Sequence, residues 1–438
     1  MDLVRKEAYN IIYKVLKDHH HSDRLLEQKL NRFKTCNERN FLYHLVKGTI
    51  KMQRNLDYIA ASLTDKDKYA QTDLKIKSLL YLGLFQTLYC KSVPDHSAVD
   101  ETVELAKGLF NTKIADFVNA VLRSFLRNPD IEYPASFTER ISYELSYPIE
   151  LIEKWIEYWG EESTEKLCHY FNYIPKLSLR INRMATDKER FRRYFERKDI
   201  KINQTNASPN VFQTDFGQNI LRDVSFEEGY YSVQDASSAM VVELLDPQED
   251  ENILDLFAGP GGKCTYISEL MNNTGEVVAV DKFPQKSKKI KQAIHRLQIT
   301  NMIIVTEDAF KFGPIAPAYD RVLLDVPCSG WGIFQKKAEL RWQNNQDMKT
   351  LLKLQDNALE VGAQFVKKGG FLIYSTCTMN HEENENQVEK FLQQNKNFKL
   401  ITNHKTVPAN FIENGFLKTF PQRDSIDGAF AAKMQKQG

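Results

Sequence analysis

Asn252-Ile253-Leu254-Asp255-Leu256-Phe257-Ala258-Gly259-Pro260-Gly261-Gly262-Lys263 is the stretch whose reading decides the fold. The apolar run from Ile253 to Phe257 predicts a buried parallel strand, and the glycine-rich residues after it stop that strand. A helical pattern follows, carried by Thr265, Ile267 and Leu270. Strand, glycine turn and helix N-terminus together make a backbone that a nucleoside cofactor can approach closely. Many doubly wound proteins carry such a turn, so its meaning depends on what lies downstream.

From Gly229 onward the pattern is α/β. Strands are expected at 252–257, 277–281, 302–306, 319–325 and 371–375, and helices at 263–271, 285–298, 346–366 and 383–394. Apolar strands alternating with amphipathic helices predict a parallel sheet covered on both faces. The tail, Gly415–Lys433, reads as a terminal hairpin. The strand Val277–Val280 ends in Asp281, placed to accept hydrogen bonds from both ribose hydroxyls of a nucleoside. Asp308 follows the third strand, where a carboxylate can accept from an adenine amino group. Each acid alone is as well explained as a helix cap or surface group; one acid after each successive strand favours a cofactor site. The turn Gly259-Pro260-Gly261-Gly262 does not match G-x-G-x-x-G, which lowers the dinucleotide reading without by itself selecting S-adenosylmethionine.

Two cysteines sit where adjacent strands end, in Asp325-Val326-Pro327-Cys328-Ser329-Gly330 and in Ser375-Thr376-Cys377-Thr378. That rim is where open α/β sheets bind ligands. Polar loop packing is the bland explanation. The chemical one is a thiolate beside a methyl donor, as methylation of a pyrimidine at carbon 5 requires. Addition of a thiolate to carbon 6 makes carbon 5 nucleophilic, which splits one hard step into easier ones. Asp325 can stabilise the charge formed on addition, and Lys263 is the candidate to favour thiol ionisation. Chemistry alone leaves open which of the two cysteines attacks.

The remainder of the chain sets the context. Its 438 residues imply two or three domains, and 42% hydrophobic with 27% charged residues is ordinary for a globular protein. A net charge of +1 means that any nucleic-acid partner is held by local basic clusters rather than a global field. The six cysteines include no C-x-x-C pair, so no metal is expected. No secretory signal opens the chain, and the most apolar run, Leu79–Tyr89, is too short to span a bilayer. A cytoplasmic protein with reduced thiols and no membrane association is expected. Helical patterns at 3–18, Glu38–Thr49, Leu56–Leu63, Leu74–Tyr89, Ser97–Gly108 and Ile114–Leu126 make 1–128 an all-α bundle. Asn128-Pro129 and Tyr133-Pro134 mark a boundary. Beyond it, helices at Ile149–Trp159, Ser163–Tyr170 and Asp187–Arg197 and strands at Lys176–Asn182 and Val211–Thr214 suggest a small α/β insert. It combines Arg180, Arg183, Arg190, Arg192, Arg193, Arg197 and Lys198 with Tyr170, Phe171 and Tyr173. That mixture suits single-stranded RNA, though a solvated helix face with core aromatics explains it too.

With these residues in view, the chain resembles the RNA 5-methylcytosine methyltransferases, in the bacterial branch acting on 16S ribosomal RNA. The carrying motifs are Ser232-Val233-Gln234-Asp235-Ala236-Ser237, Asp255 through Lys263, the two cysteine motifs, Glu382-Glu383-Asn384 and Asp427-Gly428. Leu45-Val46-Lys47-Gly48-Thr49, Val93-Pro94, Glu101 through Lys107 and Phe117 through Arg123 look like the NusB-type helical RNA-binding domain of that branch. Leu179-Arg180-Ile181-Asn182 looks like the start of its small RNA-recognition subdomain, which favours RNA binding by the basic insert. The resemblance implies a Rossmann-like class I methyltransferase domain that uses S-adenosylmethionine. It makes Cys377 the nucleophile and Cys328 an aid to product release, with Asp325 and Lys263 completing the catalytic set. Cofactor contacts carry over to Phe257, Ala258, Gly259, Pro260, Gly261, Gly262 and Lys263, with Asp281, Asp308 and Asp325. The implied organisation is a NusB-like domain at 1–130, a linker with a small α/β RNA-binding subdomain at 131–228, and the catalytic domain at 229–438, in a monomer that binds RNA.

The sequence departs from that family at Phe257, Gly259 and Cys264 in the glycine turn and at Ala429 near the end. It departs most at Trp331–Ala338, where a basic run usually lies beside the substrate. Two other functions remain open at this point: the same chemistry on transfer RNA or another ribosomal site, and an RNA-binding assembly factor without catalysis. A nicotinamide-dependent oxidoreductase is discouraged by the turn and gives the paired cysteines no role.

Overall fold

The computed structural model describes residues 2–215, 220–313, 318–343 and 348–437. The chain divides into two compact units, Met1–Ile174 with Phe334–Asn344, and Pro175–Ile333 with Asn345–Gly438.

The first unit is helical. Its helices include Leu3–Asp18, Ser22–Leu30, Cys36–Lys51, Gln53–Ser62, Leu74–Tyr89, Asp95–Leu109, Thr112–Arg127, Phe137–Glu144 and Ile149–Asn172. Local chemistry sets their starts. Asp2 accepts from the Arg5 amide, and Thr35 with Glu38 forms a reciprocal capping box. Ala8, Ile11, Ile12 and Val15 are buried and Leu16 is half-buried, and Leu74–Tyr89 is buried continuously from Ser78 to Gln86. A Cβ on Gly48 would stand 1.9 Å from the Phe85 ring, which explains a glycine within that helix. The two helices read at Ile149–Trp159 and Ser163–Tyr170 form one span interrupted at Gly160, whose φ of +76° favours glycine.

Residues 334–343 belong to this unit although the chain reaches them from the catalytic half. Phe334 packs against Trp155 and Phe171, with ring centroids 6.0 and 5.7 Å apart. Glu339 accepts from the Ser22 amide and hydroxyl at 3.1 and 2.9 Å. The buried Arg341 donates to Asn172 Oδ1 at 2.8 Å and to the Phe171 carbonyl at 3.1 Å. Phe334 and Ala338, from the stretch that departs most from the family pattern, are thus interior residues of the helical unit.

The second unit holds two sheets. The smaller contains β1 (Leu177–Ile181), β2 (Asn203–Gln204), β3 (Val211–Thr214) and β4 (Tyr231–Val233) in the order β2-β3-β1-β4, all antiparallel. The helix Lys188–Glu196, capped by Asp187, buries Phe191 and Phe195 against Phe212 and Tyr231. This corrects the basic cluster. Arg180 and Phe171 are fully buried and serve packing, whereas Arg183, Arg190, Arg192, Arg193, Arg197 and Lys198 are exposed.

The larger sheet contains β5 (Asn252–Asp255), β6 (Glu276–Val280), β7 (Met302–Val305), β8 (Tyr319–Asp325), β9 (Val366–Thr376), β10 (Phe398–Leu400), β11 (Ile412–Glu413), β12 (Phe416–Thr419) and β13 (Ala429–Lys436). The order is β11-β12-β13-β9-β8-β5-β6-β7, with β10 paired to β13. Strands β5 to β9 are mutually parallel, and β13 runs antiparallel to β9. The helices Gly262–Leu270, Pro284–Leu297, Met348–Phe365 and Glu385–Gln394 match the expected ones within a few residues. Strand order reverses between β5 and β8, and the carboxyl ends around that point form the crevice that binds ligands in such sheets. Among the described residues no helix is long and apolar enough to cross a membrane, and no cluster of metal-ligating side chains occurs.

Candidate active site

The glycine turn leaves β5 and enters the helix Gly262–Leu270 through Gly261, whose φ is +115°. The Ala258 amide donates to the Val280 carbonyl at 2.9 Å, which ties the turn to the neighbouring strand. Gly259 donates to Asp281 Oδ2 at 3.1 Å, and a Cβ at Gly259 would stand 2.5 Å from that oxygen. Asp281 is nearly buried and also accepts from the Phe283 amide at 2.9 Å. Asp308 accepts from the Phe310 amide at 3.1 Å, the local cap that its position allowed. Phe283 and Phe310 are 46% and 38% exposed, large aromatic faces left open beside these acids.

Arg180 locks the turn from behind. It donates to the Gly262 carbonyl at 2.8 Å, pairs with the fully buried Glu269 at 2.5 Å, bonds Gln234, and lies 4.4 Å from the Tyr266 ring centroid. Gln234 belongs to the Ser232–Ser237 motif, so that motif acts by bracing the turn.

Lys263 points to the end of β8, where its Nζ lies 2.7 Å from Asp325 Oδ2. Ser375 donates to Asp325 Oδ1 at 2.8 Å. Burial alone lowers the Lys263 pKa, yet the Asp325 charge and hydrogen bond, with Cys377 and Asp255 nearby, leave it raised. Asp255, at the end of β5, is buried, and its Oδ2 has no hydrogen-bond partner among the described residues. Burial and the Asp325 charge push its carboxyl up to about 7.

The two strand-end cysteines meet. Cys328 Sγ and Cys377 Sγ are 3.2 Å apart, and both residues are partly accessible. The Val326 amide donates to the Ser375 carbonyl at 3.1 Å, and Gly332 donates to the Cys377 carbonyl at 3.0 Å, joining the two loops. The hydrogen bond to Cys377, burial and the charges of Cys377 and Glu383 push the Cys328 thiol well above its ordinary range. Glu383 is fully buried and accepts from the Ser329 amide at 2.8 Å and from the Ser329 hydroxyl at 2.5 Å.

The site residues read from the sequence therefore converge at the carboxyl ends of β5, β6, β7, β8 and β9. Sequence reasoning missed the structural work of Arg180, Gln355, Ser375 and the Gly332–Gly428 contact. Glu383 was legible only as part of a family motif. Among the described residues it has no ion-pair partner, and such a buried carboxylate leaves no periodic signal in a sequence.

Three family models match consecutive parts of the chain: the NusB family over 3–127, a ferredoxin-like domain of RsmF/B-like methyltransferases over 147–219, and the 16S rRNA methyltransferase RsmB/F model over 242–435. The "Probable ribosomal RNA small subunit methyltransferase B" of Bacillus subtilis is 34% identical over 446 residues, covering 99% of each chain. A protein with the same description from Synechocystis sp. is 35% identical over 408 residues, 91% of each. The crystal structure of PH0851 superposes with a TM-score of 0.84 at 24% identity, covering 100% of this chain and 99% of that one, a likeness of fold.

Proposed function

Because the chain belongs to the ribosomal RNA small subunit methyltransferase B family, we propose that it methylates carbon 5 of a cytosine in 16S ribosomal RNA, using S-adenosylmethionine and a covalent Cys377–cytosine intermediate. The residues fit such a donor. The Gly259 approach to Asp281 leaves no room for a side chain, Asp255 Oδ2 is an orphaned buried acceptor, and open aromatic faces flank Asp281 and Asp308. Phe257, Ala258, Gly259, Pro260, Gly261 and Gly262 would hold the methionine end, Asp281 the ribose hydroxyls and Asp308 the adenine amino group. S-adenosylmethionine supplies a methyl group on an electron-poor sulfonium.

The protein's side chains do the rest. Cys377 adds as a thiolate to carbon 6, forming a C–S bond and moving the ring electron pair toward carbon 5 and the ring nitrogen. Asp325, joined to Lys263 Nζ, would relay a proton from that ammonium to the ring nitrogen and accept from the exocyclic amine, which neutralises the charge formed on addition. The methyl donor held by those residues would supply its methyl group to carbon 5 and leave as the neutral thioether. A base removes the carbon-5 proton, and the electron pair returns to expel Cys377, with Cys328 as the proton source that aids release.

One observation carries this reading: two thiols 3.2 Å apart, beside a lysine–aspartate pair at 2.7 Å. The exposed arginines of the small subdomain suit the RNA backbone. A monomer in the cytoplasm completes the proposal. It is tested by following methyl transfer from labelled S-adenosylmethionine to 16S RNA, with bisulfite sequencing to locate the cytosine. Cys377→Ala abolishes transfer and any RNA adduct, and Cys328→Ala accumulates the adduct on denaturing gels. Turnover by Cys377→Ala refutes the mechanism.

A further inference from the structure

Two cysteines in contact pose a question of assignment, because either sulfur can in principle attack. The groups facing Cys328 come from three elements. Cys377 and Tyr374 come from the end of β9, Glu383 from the short turn His381–Glu383, and the uncharged Gln355 from the helix Met348–Phe365. Lys263 pairs with Asp325 at 2.7 Å, and Cys377 contributes to holding Lys263 charged.

Glu383 is the organising group. Among the described residues four groups donate to its carboxylate: the Ser329 amide at 2.8 Å, the Ser329 hydroxyl at 2.5 Å, Asn380 Nδ2 at 3.1 Å and Gln355 Nε2 at 3.0 Å. Gln355 Nε2 also donates to the Pro327 carbonyl at 3.0 Å, so the residues on both sides of Cys328 are gripped by one cluster. The Ser329 hydroxyl further contacts Thr378 Oγ1 at 2.8 Å, linking this grip to the residue after Cys377. Four donors thus converge on one buried carboxylate next to Cys328 in the Ser329 loop. The Glu383 charge beside Cys328 opposes formation of a second one there, while Cys377 is among the groups that interact with the Lys263 charge.

We propose that Glu383 is the positioning residue that keeps Cys328 a protonated donor to Cys377, and so reserves attack for Cys377. The proposal rests on the covalent mechanism above and names what divides the labour within it.

The test is site-resolved alkylation of the folded full-length enzyme by iodoacetamide between pH 6 and 9.5, read by mass spectrometry. In the unsubstituted protein Cys377 labels first and Cys328 lags. Glu383→Gln removes the charge and turns two of the four contacts into donor–donor clashes. It is expected to shift the Cys328 labelling midpoint to lower pH and raise the Cys328-to-Cys377 labelling ratio by about tenfold, the effect of one pKa unit. Glu383→Asp, which keeps the charge, restores most of the original midpoint. A purely structural role would speed labelling of both cysteines without moving the Cys328 midpoint, and that result overturns the proposal. Should Glu383→Gln not fold, Gln355→Leu loosens the same grip from the helix. A Cys328 labelling midpoint that shifts while that of Cys377 stays put then supports the proposal, and an unmoved Cys328 midpoint, whatever the rate, overturns it. Failure of the underlying mechanism is separately visible as methyl transfer by Cys377→Ala.

Discussion

Arg180→Met is the sharpest test of how the cofactor turn is held. Arg180 and Glu269 are both fully buried, and the guanidinium also bonds the Gly262 carbonyl at 2.8 Å. Methionine fills similar volume but leaves Glu269 as a buried carboxylate without its cation, which costs about 3–5 kcal/mol. Burial already raises the Glu269 pKa even with Arg180 present, so the isolated acid would take up a proton rather than stay charged. The loss should be local, in the helix Gly262–Leu270. Native-state hydrogen exchange of its amides is expected to accelerate by between about 10² and about 10⁴, the same energy expressed as an opening equilibrium. The double variant Arg180→Met with Glu269→Met should recover most of the protection, since replacing a whole buried pair by apolar groups is often neutral. Exchange within tenfold of the original in the single variant, or a double variant no better than the single, would refute the account of Arg180 as the brace of the turn.

Other outcomes follow from the same geometry. Diamide should close a Cys328–Cys377 disulfide, oxidising two thiols while the reagent is reduced to its hydrazine. Methyl transfer should then fall and return with dithiothreitol, as the 3.2 Å sulfur contact requires, and non-reducing peptide mapping checks it. Gly428→Ala would place a Cβ 2.8 Å from Gly332 Cα and 2.9 Å from Met379, and Gly332 donates to the Cys377 carbonyl. Its thermal midpoint and its kcat should both drop, whereas affinity for S-adenosylmethionine by calorimetry should hold. Asp255 binds its proton more tightly folded than unfolded, with a pKa raised from 3.8 to about 7. The stability this gives is therefore present below the ordinary carboxylate pKa and is lost as pH rises through about 7, a cost of about 4 kcal/mol at pH 8. Melting of Asp255→Asn at pH 5 and pH 8 should show less of that decline than the parent, and an equal decline in both proteins counts against the buried-acid account.

Much of the catalytic half was legible because its signals are periodic. Apolar strands of β5, β6 and β8 and the amphipathic helices between them carry their own pattern, and their acids and cysteines fall at strand ends by simple spacing. The edge elements were harder to see. Strand β10 pairs Phe398–Leu400 with β13, and β4 belongs with the small sheet although it follows the boundary read at Gly229. Such pairings are set by tertiary contact and not by local alternation. Arg180 misled for a related reason: its charge reads as surface, and only the buried Glu269 explains its position. Glu269 lies far along the chain, so no local window contains both. Segment 334–343 resisted reading altogether, because nothing in its composition says which unit it joins.

That segment has a practical consequence for dissecting the molecule. A gene fragment ending at Ile174 would encode every helix of the first unit from Leu3 to Asn172, yet would omit Phe334, Glu339, Arg341 and Trp342. Ser22 and Lys47 would lose Glu339, the Ile50 carbonyl would lose the Trp342 indole, and the aromatic pocket around Trp155 and Phe171 would gape. A separately expressed helical half should thus be restored by supplying a 334–343 peptide in trans. Modularity in this protein follows the threading of the chain in space rather than any single cut along its length.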